Sequence, residues 1–165
     1  MDTPLKASTK VDTGLVQNTQ NKEALTIKTI NPTIAKANHL EKEIDETLAE
    51  MKINHKKLEQ KELSRLITAL TKKFFKSENN ILDPVDLNEK STEHNPNFWQ
   101  EIQHRIHQKH LTFLVYDSAY RAWKVDDVQD VASILRETTG YPFWVADSAL
   151  TFLVHMDDHD CVIWA

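Results

Sequence analysis

The residues most able to do chemistry lie near the end of the chain, between His155 and Cys161, where six of seven residues are His, Asp or Cys. Imidazole, carboxylate and thiolate groups bind Zn²⁺ and other transition metals. The segment is typical of a hairpin tip, and along a strand neighbouring side chains point to opposite faces. We therefore interpret it as an acidic loop with a strand histidine and a small buried cysteine, and we predict no metal and no cofactor. The alternatives are a metal site or a hydrolytic centre, and the candidate metal ligands are His155, Asp157, His159 and Cys161.

A second histidine group lies in a predicted helix over residues 97–110, where His104, His107 and His110 are three residues apart. Glu101 and His104 form one Glu-x-x-His pair, whereas di-iron carboxylate bundles use two such pairs and further glutamates. A spacing of three drifts around a helix, so we interpret this group as a polar helix face. The chain has no G-x-S-x-G or H-E-x-x-H motif, and its two glycines are too few for a Gly-rich phosphate loop. We predict that the protein is not an enzyme.

The elements that position these groups are predicted from periodicity and turn residues. Between residues 97 and 165 the order is helix, strand, strand, helix, strand, strand, strand. Asp126 and Gln129 have the spacing of a capping box, and Gly140 is the expected C-terminal cap of that helix. Pro142, early in the third strand, suggests an edge strand or a strand start. This order favours an α+β domain with a mostly antiparallel sheet. The predicted strands cover residues 111–116, 120–125, 141–145, 150–156 and 161–165.

The residues before that domain are predicted to be extensions of it. Residues 1–33, rich in Thr, Lys, Asn and Gln, are predicted to be a disordered polar tail, with a weak strand or helical turn near residues 25–30. Residues 34–76 carry apolar residues mostly three, four or seven apart. This spacing predicts one long amphipathic helix, starting near Pro32, or two helices broken near residues 53–55. Residues 77–96 contain Asp-Pro and Asn-Pro breakers and are predicted to be a linker.

The charge of the chain is concentrated in its last third. The formal net charge is −5, and residues 117–165 hold nine acidic and three basic side chains. Most of these acids fall at predicted turns, which we expect to meet at one end of the sheet and form a negative patch. Such a patch disfavours nucleic acid, whose phosphates need Lys and Arg, and favours a basic protein partner. The alternative interpretation is that each aspartate only stabilises a turn or a helix cap.

The candidate partner-binding residues are the acidic turns together with aromatic or histidine anchors beside them. An interface typically combines such anchors with a polar rim. The residues are Asp117, Tyr120, Trp123, Asp126, Asp127, Asp157, Asp158, His159 and Asp160.

These features favour a cytoplasmic, non-enzymatic protein-binding module. The first residues lack a basic start followed by an apolar core, and no window approaches 18 uncharged apolar residues. Small, acidic, Cys-poor α+β chains of this kind resemble many bacterial immunity proteins and antitoxins. The resemblance implies an inhibitor that occludes a basic toxin domain. The alternatives are a coiled-coil adaptor or structural protein that self-associates through residues 34–76, and a metal-binding protein or hydrolase that uses the His155–Cys161 cluster.

Overall fold

An antiparallel sheet with helices on both faces organises the part of the chain that the structure describes. The computed structural model describes residues 32–138 and 140–165, and their side chains from residue 39 onwards. The α+β class predicted from the sequence is confirmed. The helices are α1 (Pro32–Glu50), α2 (Gln60–Phe74), α3 (Phe98–Arg105) and α4 (Val128–Glu137), with a 3₁₀ turn at Pro84–Asp86. The strands are β1 (His55–Lys57), β2 (Ser91–His94), β3 (Leu111–Asp117), β4 (Ala119–Val125), β5 (Phe143–Asp147), β6 (Leu153–Met156) and β7 (Cys161–Trp164).

The order of the seven described strands is β1-β4-β3-β5-β6-β7-β2, and every neighbouring pair is antiparallel. The predicted β3–β4 hairpin and the two predicted strands on either side of residues 157–160 are therefore confirmed. β5 lies between β3 and β6, so of the two alternatives that Pro142 suggested, the edge strand is wrong and the strand start is confirmed. Pro142 directly precedes the strand, so its missing N–H removes no hydrogen bond from the sheet.

Alternation along the strands divides the buried apolar residues between two cores, one on each face of the sheet. In β3, Phe113 belongs to the core under α1, α3 and α4, and Leu114 belongs to the core under α2. In β5, Phe143 and Trp144 divide between the two cores in the same way. Because both faces are covered, the central strands are apolar at nearly every position, as the sequence of β3 shows.

The helical region 34–76 consists of two helices, α1 and α2, on opposite faces of the sheet. The predicted break near residues 53–55 is confirmed, and α1 begins at Pro32 as expected. β1 separates the helices and pairs with β4, with His55 opposite Val125. The apolar stripe of α1 ends in Ile44 and Leu48, which are completely buried in the core. That stripe therefore packs on the sheet. Residues 1–31 of the predicted polar tail lie outside the described residues.

Ion pairs and hydrogen bonds also connect α1 to β1 and β4. Lys57 Nζ lies 2.6 Å from Glu41 Oε1 and 2.5 Å from Asp45 Oδ2. Arg121 Nε donates to Glu41 Oε2 at 2.8 Å, and Trp123 Nε1 donates to Asp45 Oδ1 at 2.7 Å. The hydrogen bond from Lys57 is the main reason that the pKa of Glu41 lies below its ordinary value. Burial alone would lower the pKa of Lys57, but its bonds to the two carboxylates outweigh burial and raise it.

The predicted linker over residues 77–96 contributes to the fold in two ways. β2, within it, pairs with β7 and forms one edge of the sheet, with Glu93 opposite Val162. Leu82 and Leu87 are buried in the core under α2. The predicted boundary at residue 97 therefore does not separate the sheet from the residues before it. Neither short edge strand was predicted, because each is mostly polar and lacks an apolar alternation.

Three predicted helix ends differ from the structure. α3 ends at Arg105 instead of continuing to residue 110, because the next residue, Ile106, turns to an extended conformation. The capping box of α4 is formed by Asp127 and Asp130, one residue later than predicted. Asp126 is occupied elsewhere, since its carboxylate accepts a hydrogen bond from Asn54 Nδ2 at 2.8 Å. α4 ends at Glu137 with Thr138 as its C-cap, so Gly140 is not the cap.

Candidate functional site

The acidic turns lie at two opposite ends of the sheet. Phe143 is paired with both Val115 and Met156, so the turns that follow β3 and β6 lie at the same end. Leu111 is paired with both Val125 and Asp147, which places the turn after β4 at the other end. The structure therefore brings Asp117 to the end that holds residues 157–160 and separates both from residues 126–127. The single acidic patch expected from the sequence is divided.

At the end of β4, the two aspartates have local partners. Asp126 bonds to Asn54 and lies 3.6 Å from His110 Nδ1. Asp127 Oδ1 accepts from Gln129 N at 3.1 Å and starts α4. Burial raises the pKa of Asp130, the second carboxylate of the capping box, and the neighbouring charge of Asp127 acts in the same direction. These contacts match the interpretation of Asp126 and Asp127 as turn and cap residues.

The two aromatic anchors proposed from the sequence are buried or half-buried. Trp123 is completely buried and offers no surface to a partner. Tyr120 is half-buried on the face of the sheet that α2 covers, and its hydroxyl accepts from Leu82 N at 2.8 Å. Burial raises the pKa of Tyr120, so its hydroxyl is neutral at pH 7. Neither residue lines the cavity beside the β6–β7 turn.

The turn between β6 and β7 is organised by the carboxylate of Asp157. Its Oδ1 accepts from the backbone N–H groups of His159 and Cys161, each at 2.8 Å. Asp160 has a positive φ of 61°, a conformation that Asp tolerates better than most residues. Asp158 is exposed, with its carboxylate 3.7 Å from His159 Nε2. The turn thus holds three carboxylates within four residues in a defined conformation.

These three carboxylates line a cavity of about 480 Å³ between the β6–β7 turn, the start of α3 and the end of α4. We call it the aspartate cavity. Its other lining residues are mostly aromatic or apolar, with one guanidinium among them. They include Trp99, Leu135, Arg136, Thr138, Tyr141, Phe143 and Met156.

The chemistry of the aspartate cavity is that of cation binding. Asp157, Asp158 and Asp160 together outweigh the single charge of Arg136. The hydroxyl of Tyr141 is hydrogen-bonded to Thr138 Oγ1 at 2.7 Å, and burial raises its pKa well above the ordinary value. That hydroxyl is therefore neutral at pH 7 and does not act as a base. An apolar wall beside carboxylates suits a basic side chain with a long aliphatic stem.

The four candidate metal ligands are not gathered around a common point. His155 Nδ1 is bonded to Phe143 O at 2.9 Å, and its ring stacks on Trp144. Asp157 is engaged with the amides of its own turn. Among the described residues, no group of three or more His, Cys, Asp or Glu side chains is arranged to hold a metal ion.

A second cavity, of about 470 Å³, lies on the other face of the sheet, where the connector between α2 and β2 crosses β3, β5 and β6. We call it the histidine cavity after His155, which lines it. Sequence reasoning did not find either cavity. Trp99 and Asp158 meet in the aspartate cavity, and Ile81 and His155 meet in the histidine cavity. Each pair belongs to elements far apart in the chain, and a single sequence gives no signal that such residues meet.

Comparisons with models of protein families, with curated proteins and with solved structures found no match for this chain. Over the described residues, no helix has both the length and the apolar character needed to cross a bilayer.

Proposed function

We propose that the chain is a cytoplasmic protein-binding module of the immunity or antitoxin type, and that it holds a basic side chain of its partner in the aspartate cavity. The observation that carries the proposal is the composition of this cavity. Three aspartates stand beside aromatic and apolar side chains in a space of about 480 Å³. The inhibition would be steric and electrostatic, without chemistry on the partner.

The cavity suits both the aliphatic stem and the cationic head of an arginine or lysine side chain. The aliphatic stem would lie against Leu135 and Met156, and Trp99, which also lines the cavity, would lie near the cationic head. Asp158 is exposed, and the His159 ring lies 3.7 Å from its carboxylate, which leaves the carboxylate accessible for a charge-assisted hydrogen bond. Hydrogen bonds of this kind are about twice as strong as neutral ones.

The acidic turn would also speed the approach of the partner. Asp117 lies at the same end of the sheet as residues 157–160, so both contribute to one negative field. Complementary fields steer diffusional encounter and lose this effect as salt screens them. A partner bound in this way would be released as the salt concentration rises.

The test compares capture of proteins from the source cell by the full chain and by two charge-matched variants. Asp158→Lys alters the cavity, whereas Glu78→Lys makes the same change of charge at an exposed position in the α2–β2 connector. We expect a basic protein that binds the native chain and Glu78→Lys, is lost from Asp158→Lys, and is released by salt. If Asp158→Lys and Glu78→Lys retain the same proteins, the aspartate cavity is not the binding site.

A change at Asp157 would not give a clean test of the same idea. Its carboxylate holds two backbone amides of the turn, so Asp157→Lys would alter the fold and the charge together. Inhibition is tested next, by adding the chain to the captured partner and measuring whether the partner's toxic activity falls in proportion to the complex formed.

The adaptor alternative has less support. The apolar stripes of α1 and α2 are used inside the two cores, where Ile44 and Leu70 are completely buried. Among the side chains that the structure describes, which begin at residue 39 in α1, these buried residues pack inside the molecule and do not face a second helix.

A further inference from the structure

The histidine cavity has a different character from the aspartate cavity. It lies on the opposite face of the sheet and its walls are mostly aromatic rings and proline rings. The aromatic and proline rings among the lining residues are Pro84, Tyr116, Tyr120, Pro142, Trp144 and His155, and Ile81, Leu82 and Asp83 complete the walls. Its volume of about 470 Å³ falls within the range of small-molecule sites, roughly 300–1,000 Å³. Two apolar residues near its mouth, Ile81 and Tyr116, are 55% and 61% exposed.

His155 presents an unused hydrogen-bond acceptor to this cavity. Its Nδ1 lies 2.9 Å from the carbonyl oxygen of Phe143. A carbonyl oxygen only accepts, so Nδ1 carries the proton of the neutral ring and Nε2 carries the lone pair. Burial lowers the pKa of His155, which keeps the ring neutral at pH 7.

No described residue donates to Nε2, although His155 is only 5% exposed. Within the described residues, no sealed side-chain nitrogen or oxygen lacks a partner. Nε2 is therefore in contact with open space, and the space that His155 lines is this cavity. An acceptor that faces open space bonds to water there, and a ligand that displaces this water must supply a donor in its place.

The rings around His155 define the shape of a suitable ligand. The His155 ring stacks on Trp144, with centroids 4.1 Å apart and an interplanar angle of 24°. Tyr116 and Tyr120, which also line the cavity, form an edge-to-face pair with centroids 4.9 Å apart. Aromatic walls favour a flat aromatic ligand, which gains offset or edge contacts in addition to apolar burial.

We propose that the histidine cavity binds a small planar aromatic molecule that carries an N–H or O–H group, and that this group donates a hydrogen bond to His155 Nε2. The site is separate from the aspartate cavity and does not depend on the proposed partner.

Indole and benzofuran test the proposal on the full chain, because they have nearly the same shape and only indole has an N–H donor. Binding is followed by titration calorimetry and by shifts of backbone amide signals. We expect indole to bind about tenfold more tightly than benzofuran, the effect of about one net hydrogen bond. We also expect the largest shifts near Trp144 and His155. Equal affinity for the two molecules, or no binding of indole, would overturn the proposal.

Two glutamate variants locate the site. Ile81→Glu places a carboxylate at the mouth of the cavity, whereas Val85→Glu places one on the same connector at a residue that is 75% exposed and does not line the cavity. We expect Ile81→Glu to weaken indole binding at least tenfold and Val85→Glu to leave it unchanged. An equal effect of both variants would place indole elsewhere.

His155→Phe isolates the hydrogen bond. It keeps an aromatic ring against Trp144 and removes the acceptor. In a variant that still melts cooperatively, indole and benzofuran should bind with the same affinity; a preserved preference for indole would show that His155 is not the acceptor. If the variant does not fold, the comparison of the two ligands on the native chain still decides the question.

A tryptophan-containing peptide distinguishes a free ligand from the side chain of a protein partner. Free indole should bind and the peptide should not. Binding of the peptide alone would show that the cavity serves a protein and would contradict the proposal.

Discussion

At the scale of single residues, the aspartates in the last part of the chain differ in their contacts and exposure, even where they are adjacent in sequence. Asp157 uses one oxygen to hold two amides of the β6–β7 turn. Asp158 is exposed and its one described partner is the ring of His159. Asp147, at the opposite end of the sheet, is buried and accepts from Thr151 N at 2.6 Å and Thr151 Oγ1 at 2.9 Å. Only residues such as Asp158 are available to a partner without cost to the fold.

This difference predicts unequal effects of alanine substitution at adjacent positions. Asp157→Ala should lower the free energy of unfolding by about 2 kcal/mol, because it removes two hydrogen bonds to a charged acceptor. Asp158→Ala should change it by less than about 0.5 kcal/mol, as is usual for an exposed residue. Urea denaturation measures both. Similar values for the two variants would mean that Asp157 does not organise the turn.

The buried His155 predicts a pH dependence of stability. Its pKa in the folded protein lies below the ordinary value of 6.5, because burial disfavours the charged ring. Below pH 6.5 the unfolded chain therefore binds a proton that the folded chain does not. The free energy of unfolding should fall as the pH drops from 6.5 to the pKa of His155 in the folded state. Below that pKa, His155 should contribute no further change. His155→Phe should reduce the slope in that window, and an unchanged slope would assign it to other groups.

At the scale of elements, α1 is joined to the sheet by both apolar packing and charge. Ile44 and Leu48 are completely buried, while Glu41 and Asp45 bind Lys57 at the side of the helix. Exposed ion pairs contribute little to stability, so the apolar contacts dominate. The charged contacts fix the position of the helix along β1 and β4.

Truncation of two residues near the end of α1 should therefore have different effects. Leu48→Ala should lower the free energy of unfolding by about 3 kcal/mol, since it leaves a cavity in the core. Met51→Ala removes a side chain that is 40% exposed just beyond the helix, and should cost less than about 1 kcal/mol. Thermal or urea unfolding followed by circular dichroism compares them. Equally small effects would mean that α1 is not part of the core.

At the scale of the whole molecule, the two cores depend on residues from both halves of the chain. α1 contributes Ile44 and Leu48 to one core, and α2 contributes Leu63, Ile67 and Leu70 to the other. β1 and β2 form the two edges of the sheet. Without these elements, both faces of the central strands would be partly exposed.

A fragment of residues 97–165, the domain predicted from the sequence, should accordingly fail to fold. It retains β3 to β7 but loses the cover of one face and both edge strands, which leaves an aggregation-prone surface. We expect no cooperative thermal transition and strong binding of a hydrophobic dye, in contrast to the full chain. A cooperative transition would show that residues 97–165 fold on their own and would support the predicted boundary at residue 97.

The α+β class, a mostly antiparallel sheet and the β3–β4 hairpin were predictable from the sequence, and a break near residues 53–55 was one of two alternatives for region 34–76. These features depend on local patterns, such as the apolar run Leu111–Tyr116 and the helical spacing of apolar residues on either side of the break. The acidic turns were also predictable, because an aspartate that follows an apolar strand pattern can be recognised from the order of residues alone. The polar edge strands β1 and β2 were not predictable, since their stability comes from backbone pairing with distant strands.

Which of these residues meet depends on how the elements pack together. Strand order separates Asp126 from Asp157, and it brings Trp99 and Arg136 to the β6–β7 turn. The position of His155 beside a cavity likewise depends on the connector that crosses the sheet at Ile81. The physical reason is that contacts between distant segments depend on how whole elements pack. A single sequence records the preferences of each element but not the arrangement that satisfies all of them together.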